Sequence, residues 1–196
     1  MTRNNIMSSS IDIDDQYDEV LVQKYRSSMS ETHKSLENQT LAWRIQQLDT
    51  MEQMLIDHEE ELVQALFEDL HKDPTESRIC EICILRNEIS YMKKNLRKWM
   101  KPKPKPSPML LLPFHTEVRP MPLCEPAVLI IGPFNYPVLL GLLPAIGALV
   151  GGNPIILKPS ELCPAVATLL EHLISSYFDQ GVFRGKIVTP TYIILS

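Results

Sequence analysis

The sequence predicts an α/β protein in which a layer of N-terminal helices precedes an incomplete parallel sheet. Two patterns carry that prediction. Apolar residues recur every three or four positions through much of the first half. Beyond Glu125, short β-branched runs alternate with apolar helical runs across tight turns. Hydrophobic residues make up 44% of the 196 positions and charged residues 22%, the balance of a globular chain rather than a disordered one.

Charge and cysteine usage exclude several classes. A formal net charge of -5 argues against the basic surface that nucleic-acid binding requires. Cys80, Cys83, Cys124 and Cys163 are too sparse for a disulfide framework. Met1 to Asp15 is polar and turns acidic at "DIDD", with neither the apolar core of a signal peptide nor the Arg-rich pattern of a transit sequence. The expected location is therefore reducing and cytoplasmic.

The elements follow in order. Residues 1–17 read as a flexible acidic leader, and residues 18–100 as N-terminal helices. In "LAWRIQQLDTMEQMLIDHEEELVQALFEDL" the apolar residues Leu41, Ile45, Leu48, Met51, Leu55, Leu62 and Leu66 fall on one face. Asp73-Pro74 ends that run, because the residue before proline disfavours the helical region. A second helix is expected from about Ser77 to Met100, with Ile79, Ile82, Leu85, Ile89, Met92 and Leu96 on one side. Residues 101–124 open with "KPKPKPSP", whose alternating prolines favour an extended connector. The apolar runs after it, split by further prolines, read as edge strands or a hairpin arm.

Residues 125–184 read as strand, helix, strand, helix. "AVLIIG" is expected to be a buried strand and "GPFNYP" a turn. "VLLGLLPAIGALVGG" is expected to be a buried helix kinked at Pro144, "NPIILKPSE" a second strand and turn, and about Ala165 to Phe178 a final helix begun by Pro164. Between Glu125 and Lys158 no residue is charged, which raises the question of a membrane span. Pro126, Pro133, Pro137, Pro144 and Pro154 argue against it, since the freed carbonyls of a broken helix are costly in lipid. Ligands of parallel α/β sheets bind at the carboxyl ends of the strands, where both turns lie.

At those turns each polar residue admits two readings. Asn135 is either a turn residue satisfying local backbone or a side-chain donor aimed at a ligand oxygen. Lys158 and Glu161 form either a surface salt bridge beside a Ser160 cap or a grip on the hydroxyls of a sugar. Cys80 and Cys83 in "CEIC" fall on one helix face and are expected to be buried apolar thiols, since no second Cys or His pair stands at metal-ligand spacing. No metal site is expected. Neither GxGxxG nor GxxxxGK[ST] occurs.

Taken together, "EPAVLIIGPFNYPVLLGLLPAIGALVGGNPIILKPSEL" resembles the aldehyde dehydrogenase superfamily, with the Asn-Tyr-Pro turn, the Gly-Asn pair and "KPSE" in the family's order and spacing. The helical run ending in "HKDP", and "NLRKWMKP", resemble its short class 3 branch. The likeness spans roughly residues 20–178. It implies a Rossmann-like sheet belonging to the family's N-terminal domain. It also implies oxidation of an aldehyde to a carboxylic acid with NAD or NADP, through a thiohemiacetal on a cysteine. Asn135 matches the family's oxyanion asparagine. Ile131, Gly132, Pro133 and Phe134 match the stretch beside the nicotinamide, and Lys158 and Glu161 match contacts to the adenosine ribose. The Pro-rich segment matches the arm through which members dimerise.

Departures from the pattern set further expectations. None of the four cysteines occupies the nucleophile position, and the general-base glutamate of the pattern has no match. Residues 185–196 leave the family's pattern, and Gly181 and Gly185 only echo its glycine-rich turn. The expectation is a truncated form without the catalytic domain, inactive alone, with an exposed apolar face on the helix Val138 to Val150. The partners expected are an aldehyde in the whole enzyme, and a second copy or a full-length relative in a dimer. The alternative function is an interaction protein that acts through such pairing. No association with nucleic acid or membrane is expected.

Overall fold

The computed structural model describes residues 40–109, 113–123 and 127–185. The leader, residues 18–39 of the helical layer, Cys124 and the tail from residue 186 lie outside the described residues.

Helix α1 (Leu41–Asp57) starts at Thr40, whose hydroxyl accepts from the Trp43 N–H at 3.2 Å. Leu48, Met51 and Leu55 on its inner face are fully buried. The single run expected to continue to Leu70 is corrected at His58, where φ -118° and ψ 24° interrupt the helix. Helix α2 (Glu59–Leu70) restarts with Glu59, Glu60 and Glu61 in its first turn, where carboxylates suit the positive end of the helix dipole. It ends at His71 in a left-handed conformation, and Asp73 then caps the next segment through the Thr75 N–H at 2.8 Å.

The expected helix Ser77–Met100 is a composite. A short α3 (Pro74–Ser77) runs into a π-turn (Arg78–Ile82), and then α4 (Cys83–Trp99) follows. A π-turn inserts one residue into the helical phase. Ile79 is therefore rotated outward and is 59% exposed, whereas Ile82, Leu85, Ile89 and Leu96 are buried. Glu81 is carried inward and is fully buried. The same shift leaves Cys83 exposed and Cys80 half-buried, which corrects the expectation of two buried thiols.

Strands β1 (Lys103–Lys105) and β2 (Thr116–Val118) pair antiparallel as a ribbon, every residue of which is exposed. A second sheet is parallel, in the order β3 (Val128–Ile131), β4 (Ile155–Lys158), β5 (Phe183–Gly185). Helix α5 (Pro137–Gly151) joins β3 to β4, and α6 (Pro164–Tyr177) joins β4 to β5. Right-handed crossovers between successive neighbours put both helices on one face of the sheet. Ile130, Ile155 and Leu157 belong to a core that includes Leu142, Ile146, Leu170 and Ile174.

The one-sided cover has two consequences. Alternate strand positions face away from the helices, so Leu129 and Ile131 are 53% and 55% exposed, and β3 is not the buried strand expected. Helix α5, by contrast, shows only Pro144 and Gly147 as exposed residues and does not carry the bare apolar face expected of it. The helix runs on through Pro144. Strand β5 is a third strand beyond the two expected. Gly185 in it lies against α6 so closely that an added Cβ would meet the Glu171 Cα at 3.2 Å, so its lack of a side chain serves helix–sheet contact. Gly152 (φ 78°) ends α5.

Candidate active site

Helix α5 begins with Tyr136 and Pro137, and α6 with Cys163 and Pro164. Neither cap residue brings an oxygen to the first-turn N–H groups, which must find acceptors elsewhere. Both acceptors come from the N-terminal helical layer. Glu81 Oε2 accepts from Val138 and Leu139, each at 3.0 Å, at the start of α5. Asp69 accepts from Ala165 at 3.0 Å and from Val166 at 2.8 Å, at the start of α6. At the other end of α5 the buried Arg44 donates to the Val150 carbonyl at 2.7 Å. Helix α5 is thus held at its amide end by a carboxylate and at its carbonyl end by a guanidinium, both favourable to its dipole.

These caps fix the two turns at the carboxyl edge of the sheet. The Gly132 N–H donates to the Lys158 carbonyl at 2.8 Å and so joins the two roots. Between the turns, the Cys163 thiol donates to the Phe134 carbonyl at 3.4 Å. Burial pushes that thiol up to about 11, with the charges of Asp69 and Glu81 adding to the effect. Cys163 is therefore a neutral hydrogen-bond donor near pH 7.

Asn135 is exposed at the head of the first turn, and its amide finds no hydrogen-bond partner among the described residues. Pro133 and Phe134 beside it are exposed, as is Ile131 on the open face of the sheet, while Gly132 is buried. At the second turn the Lys158–Glu161 salt bridge forms, but Lys158 is only 6% exposed, so its ammonium lies below the surface. Its ammonium is ion-paired with Glu161, a carboxylate that itself reaches solvent. The Lys158 hydrogen bond holds the Glu161 carboxyl below the usual range. Ser160 Oγ accepts from Leu162 N–H at 3.2 Å, so its side chain serves the turn.

The residues singled out in the sequence therefore share one edge of the sheet, on adjacent strands paired Ile131 to Lys158. Sequence reasoning missed Glu81, Lys72 and Asp69. Lys72 is buried, pairs with Glu81 at 2.7 Å, and sets its ammonium 3.7 Å from the centre of the Tyr136 ring. No group of three metal-ligating side chains occurs among the described residues. Among the same residues, no helix is long and apolar enough to cross a membrane.

Comparison with known proteins decides the family. The model of the aldehyde dehydrogenase family matches residues 11–189. The chain belongs to the aldehyde dehydrogenase family. Its similarity to class 3 members is direct. It is 40% identical over 142 residues to aldehyde dehydrogenase family 3 member H1 of Arabidopsis thaliana, covering 72% of this chain and 29% of the relative. It is 35% identical over 143 residues to family 3 member A2 of Macaca fascicularis, covering 73% and 29%. Among solved structures it matches an aldehyde dehydrogenase of Staphylococcus aureus in a substrate-bound state, with a TM-score of 0.80 and 30% identity, over 86% of this chain and 36% of that one. The chain thus spans about a third of the length of the aldehyde dehydrogenases it matches.

Proposed function

We propose that this chain supplies the cofactor-facing part of an aldehyde dehydrogenase, with Asn135 as oxyanion donor and the Lys158–Glu161 pair as the grip on the adenosine ribose of NAD or NADP. The observation that carries this reading is the shared edge. An exposed amide without a hydrogen-bond partner among the described residues, and an ion pair offering both a donor and an acceptor, stand at the tips of adjacent parallel strands.

The residues fit a dinucleotide. A ribose diol needs an acceptor for its hydroxyl protons and a donor to its oxygens, and Glu161 beside Lys158 presents both. The exposed Pro133 and Phe134, with Ile131 beside them, offer an apolar surface for a flat ring. Bound there, the nicotinamide would accept the hydride of the reaction. The carboxamide N–H of Asn135 would donate to the aldehyde oxygen as negative charge develops on it, a contribution of about 3 kcal/mol for one such donor.

A polypeptide of these 196 residues is proposed to bind the cofactor without oxidising aldehydes, because none of its cysteines matches the family's nucleophile and Cys163 is held as a thiol. Titration with NAD+ and NADP+, followed by nuclear magnetic resonance, tests the first half. Saturable shifts at residues 131–134 and 158–161 are expected. Lys158→Ala should weaken binding about tenfold, the loss of one charge-assisted hydrogen bond, and Asn135→Ala should leave it unchanged. Absence of a saturable response at either turn removes the assignment. An assay of NAD(P)H formation with aliphatic and aromatic aldehydes tests the second half, and turnover would refute it.

A second reading is favoured by one observation. The exposed β1–β2 ribbon has no apolar side buried against its own chain. It would serve as an arm that pairs with another copy or a longer relative in a dimer. Sedimentation of the polypeptide alone and with a full-length class 3 enzyme distinguishes these partners.

A further inference from the structure

We propose that Glu81, braced by Lys72, is a positioning residue for Asn135. The proposal deepens the reading of Asn135 as oxyanion donor and rests on it. The turn from Gly132 to Leu139 is tied at four points. Its root is bonded through Gly132 to Lys158, and its Phe134 carbonyl accepts from Cys163. Its Tyr136 ring lies under the Lys72 ammonium at 3.7 Å, and Val138 and Leu139 both donate to one oxygen of Glu81 at 3.0 Å. Lys72 takes the other Glu81 oxygen at 2.7 Å. Asn135 stands within this frame with its amide unbonded among the described residues.

The arrangement resembles the support an oxyanion donor requires. A donor contributes to catalysis to the extent that it is oriented before charge develops. An asparagine on a mobile turn would carry its amide out of place with the backbone. Here the backbone on its carboxyl side is fixed by a fully buried carboxylate 57 positions earlier in sequence. Carrying Glu81 inward requires the π-turn, because that turn gives Glu81 the inward position and leaves Ile79 outside.

Amide hydrogen exchange and ¹⁵N relaxation on the whole 196-residue polypeptide test this. First-turn amides have no intrahelical acceptor and ordinarily exchange fast. Slow exchange of Val138 and Leu139 is expected in the unmodified protein, and its dependence on Glu81 separates the hydrogen bond from the burial of Val138. Glu81→Gln should speed both about tenfold, as for loss of a charge-assisted bond, and loosen the Asn135 side-chain amide, while α1 amides keep their rates. Ile146→Val, which trims the core on the same helix, should shift many amides together and leave Asn135 unmoved. Fast exchange of both amides in the unmodified protein, or an Asn135 signal indifferent to Glu81→Gln, overturns the proposal. If Glu81→Gln does not fold, Lys72→Arg replaces it, and the same two signals decide. A rigid Asn135 in a protein that binds neither NAD+ nor NADP+ would break the functional reading and leave the positioning intact. Cofactor binding with a mobile Asn135 would do the reverse.

Discussion

Tyr136 and Cys163 occupy the cap positions of α5 and α6, and neither side chain accepts hydrogen bonds from the first turn. That absence was readable in the sequence: a helix opened by Tyr-Pro or Cys-Pro leaves N–H groups that need a distant carboxylate or hydroxyl. Which residue answers was not readable, because Glu81 and Asp69 reach their targets across 57 and 96 positions. Asp69→Ala should cost about 1–2 kcal/mol in urea unfolding, as loss of a cap does, whereas the exposed Glu68 should be replaceable by alanine at little cost. Cys163 should be the last of Cys80, Cys83 and Cys163 to be alkylated near pH 8, since burial keeps it protonated, and exposed Cys83 the first. The Glu161 carboxyl is lowered by its hydrogen bond from Lys158, so its contribution is present above the ordinary value of 4.5 and fades as pH falls through the lowered one. Glu161→Gln should therefore flatten the acid limb of a plot of urea midpoint against pH.

Helical phase was the strongest sequence signal and also the source of the main errors among the elements. The spacing located α1, α2 and α4 by their apolar rows. It could not show the extra residue of the π-turn, because Ile79 and Ile82 keep a regular spacing whether or not the turn widens. The difference is measurable. Ile79→Lys should change stability by no more than about 0.5 kcal/mol, as at an ordinary surface site, whereas Ile82→Ala should cost about 2–5 kcal/mol. Strand β3 was legible as a strand from its β-branched run, yet its burial was misread. An unbroken apolar run is the mark of a strand covered on both faces. In the described chain Ile131 and Leu129 have cover on one side only. Strand β5 gave no such run, since only three residues pair and a glycine ends them.

For the molecule as a whole, the α/β class and the family were legible because the Asn-Tyr-Pro turn and "KPSE" mark the ends of neighbouring strands. The sequence could not show how strongly the N-terminal helices grip the sheet unit. Arg44, Asp69 and Glu81 each reach from that layer to an end of α5 or α6, and Tyr177 donates to Asp57 at 2.7 Å. The two layers should therefore unfold together. Circular dichroism and the fluorescence of Trp43 and Trp99, which lie on α1 and α4, should report one coincident transition.

The β1–β2 ribbon leaves a chemical fingerprint of its own. Lys101, Lys103, Lys105 and Arg119 are each followed by proline, so trypsin is blind to two strands that stand open to solvent. Chymotrypsin has no such obstacle at Phe114, which is 71% exposed. Brief digestion should nick the isolated polypeptide there first with one protease and spare the ribbon with the other. A second subunit laid over the arm would silence the chymotrypsin cut as well.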